Sequence, residues 1–277
     1  MNITTDKLFS LLKEGIWKCL TRIGILLRWI VLAGAAGVVL GLIGGCFARC
    51  ITIVTGFRTT HPWMLYLLPV AGLAIVAMYR LDPSRSGTNR VLEGISGGKY
   101  VPLRMAPLIM VSTVLTHAFG GSAGREGAAL QLGGSLGGTI GKWLKLDEYD
   151  QKAMIMCGMS AAFSALFGTP LTAAIFAMEV ISIGIMEYAA LVPCAISALI
   201  AREIAEMVGA HGEHFTVPAS VNFDLKNGAL IVLLALLCAG VSILFCEILH
   251  RTERFFKTKI ENAWLRAVVG GVLIIVL

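Results

Sequence analysis

Long runs of apolar residues follow one another along the chain, separated by short polar or basic stretches. Each long run predicts a helix in a membrane, because a spanning helix needs about 20 consecutive apolar residues. The runs cover roughly residues 23–56, 62–79, 105–119, 153–167, 170–182, 188–209 and 228–249. Several are too short for a full span and are broken by glycine or proline. Broken backbone at membrane depth is tolerated only where it is buried within protein or lines a water-filled cavity. The pattern therefore predicts an all-α polytopic membrane protein whose broken helices surround a site.

The composition excludes an ordinary soluble domain. Hydrophobic residues make up 57% of the 277 residues and charged residues 14%, whereas soluble domains carry about 25% charged residues. The mean hydropathy is +0.81. The net charge of +6 is also compatible with nucleic-acid binding, but the basic residues lie in clusters between the apolar runs, where cytoplasmic loops carry them. The charge therefore indicates topology, and we expect no nucleic-acid partner.

The basic clusters predict which loops face the cytoplasm. The loop 80–104 and the cluster 251–259 are both basic and are expected inside, with residues 57–61 outside. Residues 1–22 spread charges through an apolar pattern, which predicts a cytoplasmic amphipathic helix rather than a cleavable signal peptide. We therefore expect a multi-pass integral protein of the cell (inner) membrane, embedded in the lipid bilayer, with a cytoplasmic N-terminus.

The stretch GGSAGREGAALQLGG, residues 120–134, places two adjacent charges among glycines. A helix that begins near Arg125 points its unpaired N–H groups, and about half a positive charge, into the turn at 120–124. Glycines let such donors approach a small anion closely. The carboxylate of Glu126 can occupy that site itself, and protonation would release it, so Glu126 is a candidate gate and proton carrier. The alternative is that the glycines only permit close helix packing while Arg125 and Glu126 snorkel or pair at an interface.

Two motifs carry a resemblance to a known family. The segment GSAGREGAALQ resembles the G-R-E-G-P signature of the chloride channel and chloride/proton antiporter (CLC) family, and FGTPLTAAIFAMEV at 167–180 resembles its F-N-A-P-L-A-G-x-x-F-x-x-E segment. The resemblance implies two inverted repeats of tilted, broken helices with anion sites near the midplane. Residues 23–226 then form the first transmembrane repeat and 227–277 the start of the second. A complete protein is expected to be a homodimer that pairs through the segments matching 170–200.

The first motif assigns a role to each of its charged and glycine residues. The resemblance makes Glu126 the external gating glutamate, with Gly124, Arg125 and Gly127 shaping the start of its helix. The proline that follows G-R-E-G in the family is Ala128 here, which places the chain in a divergent branch.

A third family segment, G-S-G-I-P, corresponds to RSGTN in this chain. The correspondence implies that Ser86 and Gly87 contribute to anion binding, with the Ser86 hydroxyl contacting the central anion. Arg85, Thr88 and Asn89 depart from the pattern.

The transported ion is expected to be a halide, chloride or fluoride, with proton coupling left open. Family antiporters carry a second, inner glutamate after the F-x-x-E run, whereas Val180 follows Glu179 here. Channel members and fluoride-handling antiporters also lack that glutamate. The two motifs are closer to the fluoride-handling branch, but that branch replaces the central serine, so Ser86 leaves the halide open. We expect no enzymatic activity, no cofactor and no metal.

The family elements that complete the anion path come later in its sequences. They are a G-x-F-x-P helix start and a tyrosine near the end of the membrane domain, and neither occurs before Leu277. The alternative hypothesis is therefore a truncated membrane fragment that does not transport, or an assembly subunit.

Overall fold

A computed structural model describes residues 5–80, 91–93, 101–180, 187–212 and 224–277. No strand occurs in these residues, and the structure confirms the predicted all-α class. Two short 3-10 helices, Pro62–Leu67 and Tyr188–Ala190, accompany the α-helices. The α-helices are α1 Thr5–Thr60, α2 Leu68–Arg80, α3 Met105–Ala118, α4 Arg125–Trp143, α5 Glu148–Phe167, α6 Pro170–Glu179, α7 Leu191–Met207, α8 Leu225–Lys259 and α9 Ala263–Val276.

Helix α1 is longer than a membrane crossing requires. Its 56 residues extend roughly 84 Å at about 1.5 Å per residue, against a hydrocarbon core of about 30 Å. The helix passes through residue 22 without a break, so the amphipathic segment from Thr5 onward and the first apolar run form one helix. Within the described residues, four segments are long and apolar enough to cross a membrane, namely Lys13–Thr60, Pro62–Arg80, Tyr188–Met207 and Leu225–Lys259.

Helices α1, α5 and α7 pack side by side and run in the same direction. Helix α5 meets α7 through buried serines: Ser160 Oγ donates to the carbonyl of Cys194 at 3.1 Å, and Ser164 Oγ donates to that of Ala198 at 2.8 Å. Successive glycines of α1 face small residues of α7, in the order Gly37 with Ser197, Gly41 with Ala201 and Gly45 with Ala205. Because residue numbers rise together along both contacts, the three helices end at the same end of the bundle.

Helix α4 runs antiparallel to α5 along a seam of glycines. A Cβ added at Gly133 would lie 2.3 Å from the carbonyl oxygen of Gly158, and one added at Gly137 would lie 2.5 Å from that of Met154. The helix axes can approach this closely only because these side chains are absent. Helix α4 therefore begins at the end of the bundle where α1, α5 and α7 finish. We call this the glycine-turn end.

The basic cluster 251–259 is helical rather than a loop. It forms the last turns of α8, which is 35 residues long. Two ion pairs link successive turns there, each between residues four positions apart: Arg251 with Glu247 and Lys257 with Glu253. Such pairs favour a helix. Helix α8 buries none of its residues.

Candidate functional site

Helix α4 begins at Arg125, as predicted. Its N-cap is Gly124, with extended backbone angles (φ −70°, ψ 135°) and no side-chain cap hydrogen bond. The first N–H groups of a helix have no partner within it and usually receive one from the side chain of the N-cap residue. A glycine at this position leaves those donors to another acceptor.

The turn at 120–124 is held closely against its neighbours. Gly120 has φ +80°, in the left-handed region that favours glycine. The N–H of Gly121 donates to the carbonyl of Thr116 at 2.8 Å and so closes the end of α3. A Cβ on Gly120 would lie 2.8 Å from Cδ1 of Leu65 in the first 3-10 helix. The turn is thus packed on its Gly120 side, while Gly124 is exposed.

The carboxylate of Glu126 lies beside the N-terminus of α4. Glu126 is exposed and belongs to the first turn, and its Oε2 would be 3.2 Å from a Cβ on Gly124. An acidic side chain in a first turn is stabilised by the helix dipole.

Arg125 connects the two sequence motifs. The Cζ of its guanidinium lies 5.6 Å from the ring centroid of Phe167, a distance typical of a cation–π contact. Phe167 ends α5 and opens the FGTPL segment, and Gly168 follows it with φ +71°. A Cβ on Gly168 would lie 3.0 Å from the Cα of Gly212, just after the end of α7. Both motifs and the end of α7 therefore meet at the glycine-turn end.

The remaining predicted site residues divide into described and undescribed positions. Gly127 lies in the first turn of α4 and is partly buried, and Ala128, at the family's proline position, is buried. Ser86 and Gly87 lie outside the described residues. Their predicted contribution to anion binding stays a prediction.

Two arginines of α1 near this end were not predicted as part of the site. Arg49 Nη1 donates to the carbonyl of Val208 at 2.6 Å and so caps the end of α7. Arg58, in the last turn of α1, lies against the glycine turn: its Nη1 would be 3.5 Å from a Cβ on Gly120. In the sequence, a charge within or at the end of an apolar run is the signal that could have drawn attention to both.

Two further polar features can be placed. His117, near the end of α3, makes a 2.8 Å hydrogen bond through Nδ1 to the carbonyl of Thr113. A carbonyl only accepts, so Nδ1 is the donor. Glu179 ends α6 and is exposed. Among the described residues, no group of three His, Cys, Asp or Glu side chains is arranged to hold a metal ion.

Comparison with known proteins gives consistent matches. Residues 71–277 match the family model for the voltage gated chloride channel. A chloride/fluoride channel protein of Pseudomonas syringae pv. tomato is 36% identical over 252 residues, covering 90% of this chain and 56% of that protein.

Two solved structures resemble the fold. The crystal structure of a CLC-type fluoride/proton antiporter has a TM-score of 0.85 and 31% identity, covering 91% of this chain and 65% of that one. A slow cyanobacterial Cl⁻/H⁺ antiporter has a TM-score of 0.76 and 19% identity, covering 90% and 63%, and it bears on the fold alone. The chain thus spans about half to two thirds of the lengths of these relatives.

Proposed function

The chain belongs to the voltage-gated chloride channel (CLC) family, and on that premise we propose that it moves small anions across a membrane along a path gated by Glu126. Members of this family are channels and transporters rather than enzymes. Two relatives above 30% identity are a chloride/fluoride channel protein and a fluoride/proton antiporter. Fluoride and chloride are therefore the substrates to test.

One observation carries the proposal: a carboxylate lies beside a helix N-terminus whose cap has no side chain. The terminus presents N–H donors and about half a positive charge. The Glu126 carboxylate, over Gly124, and a halide are both small anions that such donors attract. The two compete for the same donors, so the ionised side chain closes the site and the protonated one opens it.

The neighbouring residues have supporting roles in this proposal. Arg125, held over the ring of Phe167, adds positive charge and fixes the start of α4 against the end of α5. Gly124 and Gly127 keep the backbone accessible in the first turn. Ser86 and Gly87 would supply further contacts to the anion, as the family pattern implies. Protons are the second partner, taken up and released by Glu126.

The setting of the protein is also part of the proposal. We propose that its long apolar helices cross the inner membrane of the cell and that the N-terminus lies in the cytoplasm. Because α1, α5 and α7 are parallel and α4 is antiparallel to α5, the glycine-turn end then faces outward. A homodimer that pairs through the 170–200 region is the proposed assembly.

The experiment is anion efflux from proteoliposomes. Vesicles that contain the purified protein and are loaded with potassium fluoride or potassium chloride are diluted into gluconate buffer, and efflux is followed with ion-selective electrodes. We expect release of at least one halide well above that of protein-free vesicles, and little release of gluconate. Halide efflux no faster than from protein-free vesicles would contradict the proposed function.

A further inference from the structure

Arg49 of α1 binds the end of α7. The last carbonyls of a helix have no partner within it. Two bonds of the kind made by a glycine cap, from the N–H groups of Gly209 and Ala210 and each 2.9 Å long, close the final turn. The carbonyl of Val208 receives neither of them, and Arg49 Nη1 donates to it at 2.6 Å. The guanidinium also brings a positive charge to the negative end of the helix dipole. Arg49 therefore fixes the point where the chain leaves α7.

A glycine leaves room for this bond. Gly209 has φ +85°, in the left-handed region that favours glycine. A Cβ added there would collide with Arg49 Nη1. The turn and the missing side chain thus both serve the bond to Val208.

The segment after α7 packs on the second sequence motif. A Cβ added at Gly212 would lie 2.8 Å from the carbonyl oxygen of Phe167 and 2.9 Å from the Cα of Gly168. Backbone lies against backbone here, so no flexible side chain can absorb a shift of either segment. The segment that Arg49 holds, residues 208–212, therefore supports the turn that ends α5. We call it the α7 exit turn.

The ring of Phe167 continues the series of contacts to α4. Its centroid lies 5.6 Å from Cζ of Arg125 and 4.5 Å from the ring centroid of Phe163, one turn earlier in α5. Arg125 is the first residue of α4 and directly precedes Glu126. An unbroken series of contacts thus leads from Arg49 on α1 to the proposed gate.

We propose that Arg49 is a positioning residue for the gate. By holding the α7 exit turn against Phe167, it fixes the guanidinium of Arg125 at the start of α4. The carboxylate of Glu126 then meets the helix N-terminus in a defined place. The inference rests on the proposed gate and gives Arg49 no contact with the anion. A bond that served folding alone would change stability but not the gate, so the test separates these two effects.

Arg28 provides the matched control. It is also an arginine of α1 and also ties this helix to a neighbour, because its Nη2 lies 2.9 Å from Oδ2 of Asp150. Asp150 lies in the first turn of α5, at the opposite end of the bundle from the glycine turn. Arg28→Gln and Arg49→Gln each remove one charge and one contact of α1. Only the second substitution removes a contact that leads to the gate.

The first measurement requires no transport. Hydrogen–deuterium exchange of the protein in detergent is followed by mass spectrometry. We expect Arg49→Gln to raise the exchange rate of residues 120–130 about tenfold, because a segment with fewer fixed contacts opens more often. Arg28→Gln should leave that segment at the wild-type rate. Wild-type exchange of residues 120–130 in a folded Arg49→Gln protein would overturn the proposal.

A conservative variant covers the case in which Arg49→Gln does not fold. Arg49→Lys keeps the charge, but its ammonium ends short of the position of Nη1. We expect exchange of residues 120–130 to rise about threefold in this variant. Wild-type exchange there would contradict the positioning role.

The second measurement is the pH dependence of halide efflux from proteoliposomes. A positive charge held less firmly beside a carboxylate stabilises its ionised, closing form less, so Arg49→Gln should shift the efflux profile toward higher pH by about half a unit. Phe167→Leu should produce a similar shift. The double variant should shift the profile no further, because both substitutions interrupt one series of contacts. Additive shifts would show that Arg49 does not act through Phe167.

Other charged or titratable groups lie near the two turns. They are Arg58 of α1, beside Gly120, His117 of α3, and His211 within the α7 exit turn. All remain in the Arg49 variants, and His211 is the one whose backbone Arg49 helps to hold. The efflux profiles are therefore repeated with His211→Gln in every protein. A shift that disappears in this background would belong to the histidine and contradict the proposal.

The remaining outcomes separate this inference from the proposed function. Wild-type exchange and pH dependence in Arg49→Gln, with a flattened pH dependence in Glu126→Gln, would overturn the positioning role and leave the gate intact. Wild-type pH dependence in Glu126→Gln would overturn the gate, and with it the role of Arg49 in gating. If the wild-type protein moves no halide, the proposed function fails, and raised exchange of residues 120–130 in Arg49→Gln would still support Arg49 as the residue that positions the start of α4.

Discussion

At the middle of α4, Gly133 lies so close to α5 that an added Cβ would be 2.3 Å from a backbone carbonyl oxygen. At the start of the same helix, a Cβ added at Gly124 would lie 3.2 Å from a carboxylate oxygen of Glu126. The first neighbour is fixed backbone and the second is the end of a flexible side chain. Glycine is thus required for helix packing at one position, whereas at the other it leaves the backbone open beside a charged group.

The difference bears on the two interpretations of the glycine-rich stretch. Close packing against α5 explains Gly133 and Gly137, whose added Cβ atoms would lie 2.3 and 2.5 Å from carbonyl oxygens of that helix. It does not explain Gly124, which is exposed at the N-cap. The packing interpretation therefore applies to the middle of α4, and the proposed anion site concerns its start.

The largest expected effect is loss of folding at the packed segment. Gly133→Ala places a methyl group 2.3 Å from the Gly158 carbonyl oxygen, so one helix must move, at a cost of about 1–3 kcal/mol or more. We expect a lower yield of monodisperse protein on size-exclusion chromatography and a lower unfolding temperature. Gly138→Ala is the control in the same helix, because its added Cβ would lie 3.4 Å from Cγ1 of Ile155, an ordinary van der Waals contact. Equal behaviour of the two variants would contradict the packing account.

An intermediate effect is expected at the turn. Gly120→Ala forces an L-residue into φ +80° and crowds Leu65, which we expect to destabilise the protein by about 1–2 kcal/mol. Gly56→Ala, in α1, is the control, since its Cβ would meet no atom within 4 Å and alanine favours a helix. Thermal unfolding in detergent distinguishes the two variants. A Gly120→Ala protein as stable as wild type would show that the turn is free to adjust.

The smallest effect on stability is expected at Gly124. Its backbone angles suit any residue, and the neighbouring carboxylate can move, so Gly124→Ala should change the free energy of unfolding by about 0.5 kcal/mol or less. The added methyl group nevertheless displaces Glu126 from the helix N-terminus. We therefore expect halide efflux with an altered pH dependence from a protein of normal stability. A stability loss comparable to that of Gly133→Ala would remove the distinction between the two segments.

The sequence predicted the features that depend on local pattern. Hydropathy located the membrane helices, and the glycine turn before Arg125 located the start of α4. The continuity of α1 through residue 22 was missed, although no proline occurs before Pro62 to break it. Arg49 and Arg58 could not be placed, because their neighbours, Val208 and Gly120, are far away in the sequence. The predicted contribution of Ser86 and Gly87 to anion binding depends on the family pattern alone.

The central claim, that the carboxylate of Glu126 is the gate, is tested most directly by Glu126→Gln. The neutral amide imitates the protonated acid and no longer competes for the helix N-terminus. The control is Glu148→Gln, which changes an exposed first-turn glutamate on α5. Helix α5 begins at the opposite end of the bundle and has an aspartate N-cap, Asp147.

The measurement is fluoride and chloride efflux from proteoliposomes across a range of pH, with protein doses matched by size-exclusion chromatography. The account predicts that Glu126→Gln continues to move halide while its pH dependence weakens and any coupled proton movement stops, and that Glu148→Gln behaves as wild type. Efflux with wild-type pH dependence from a well-folded Glu126→Gln protein would contradict the gate, and failure of that variant to fold would instead support a packing role for the charged pair.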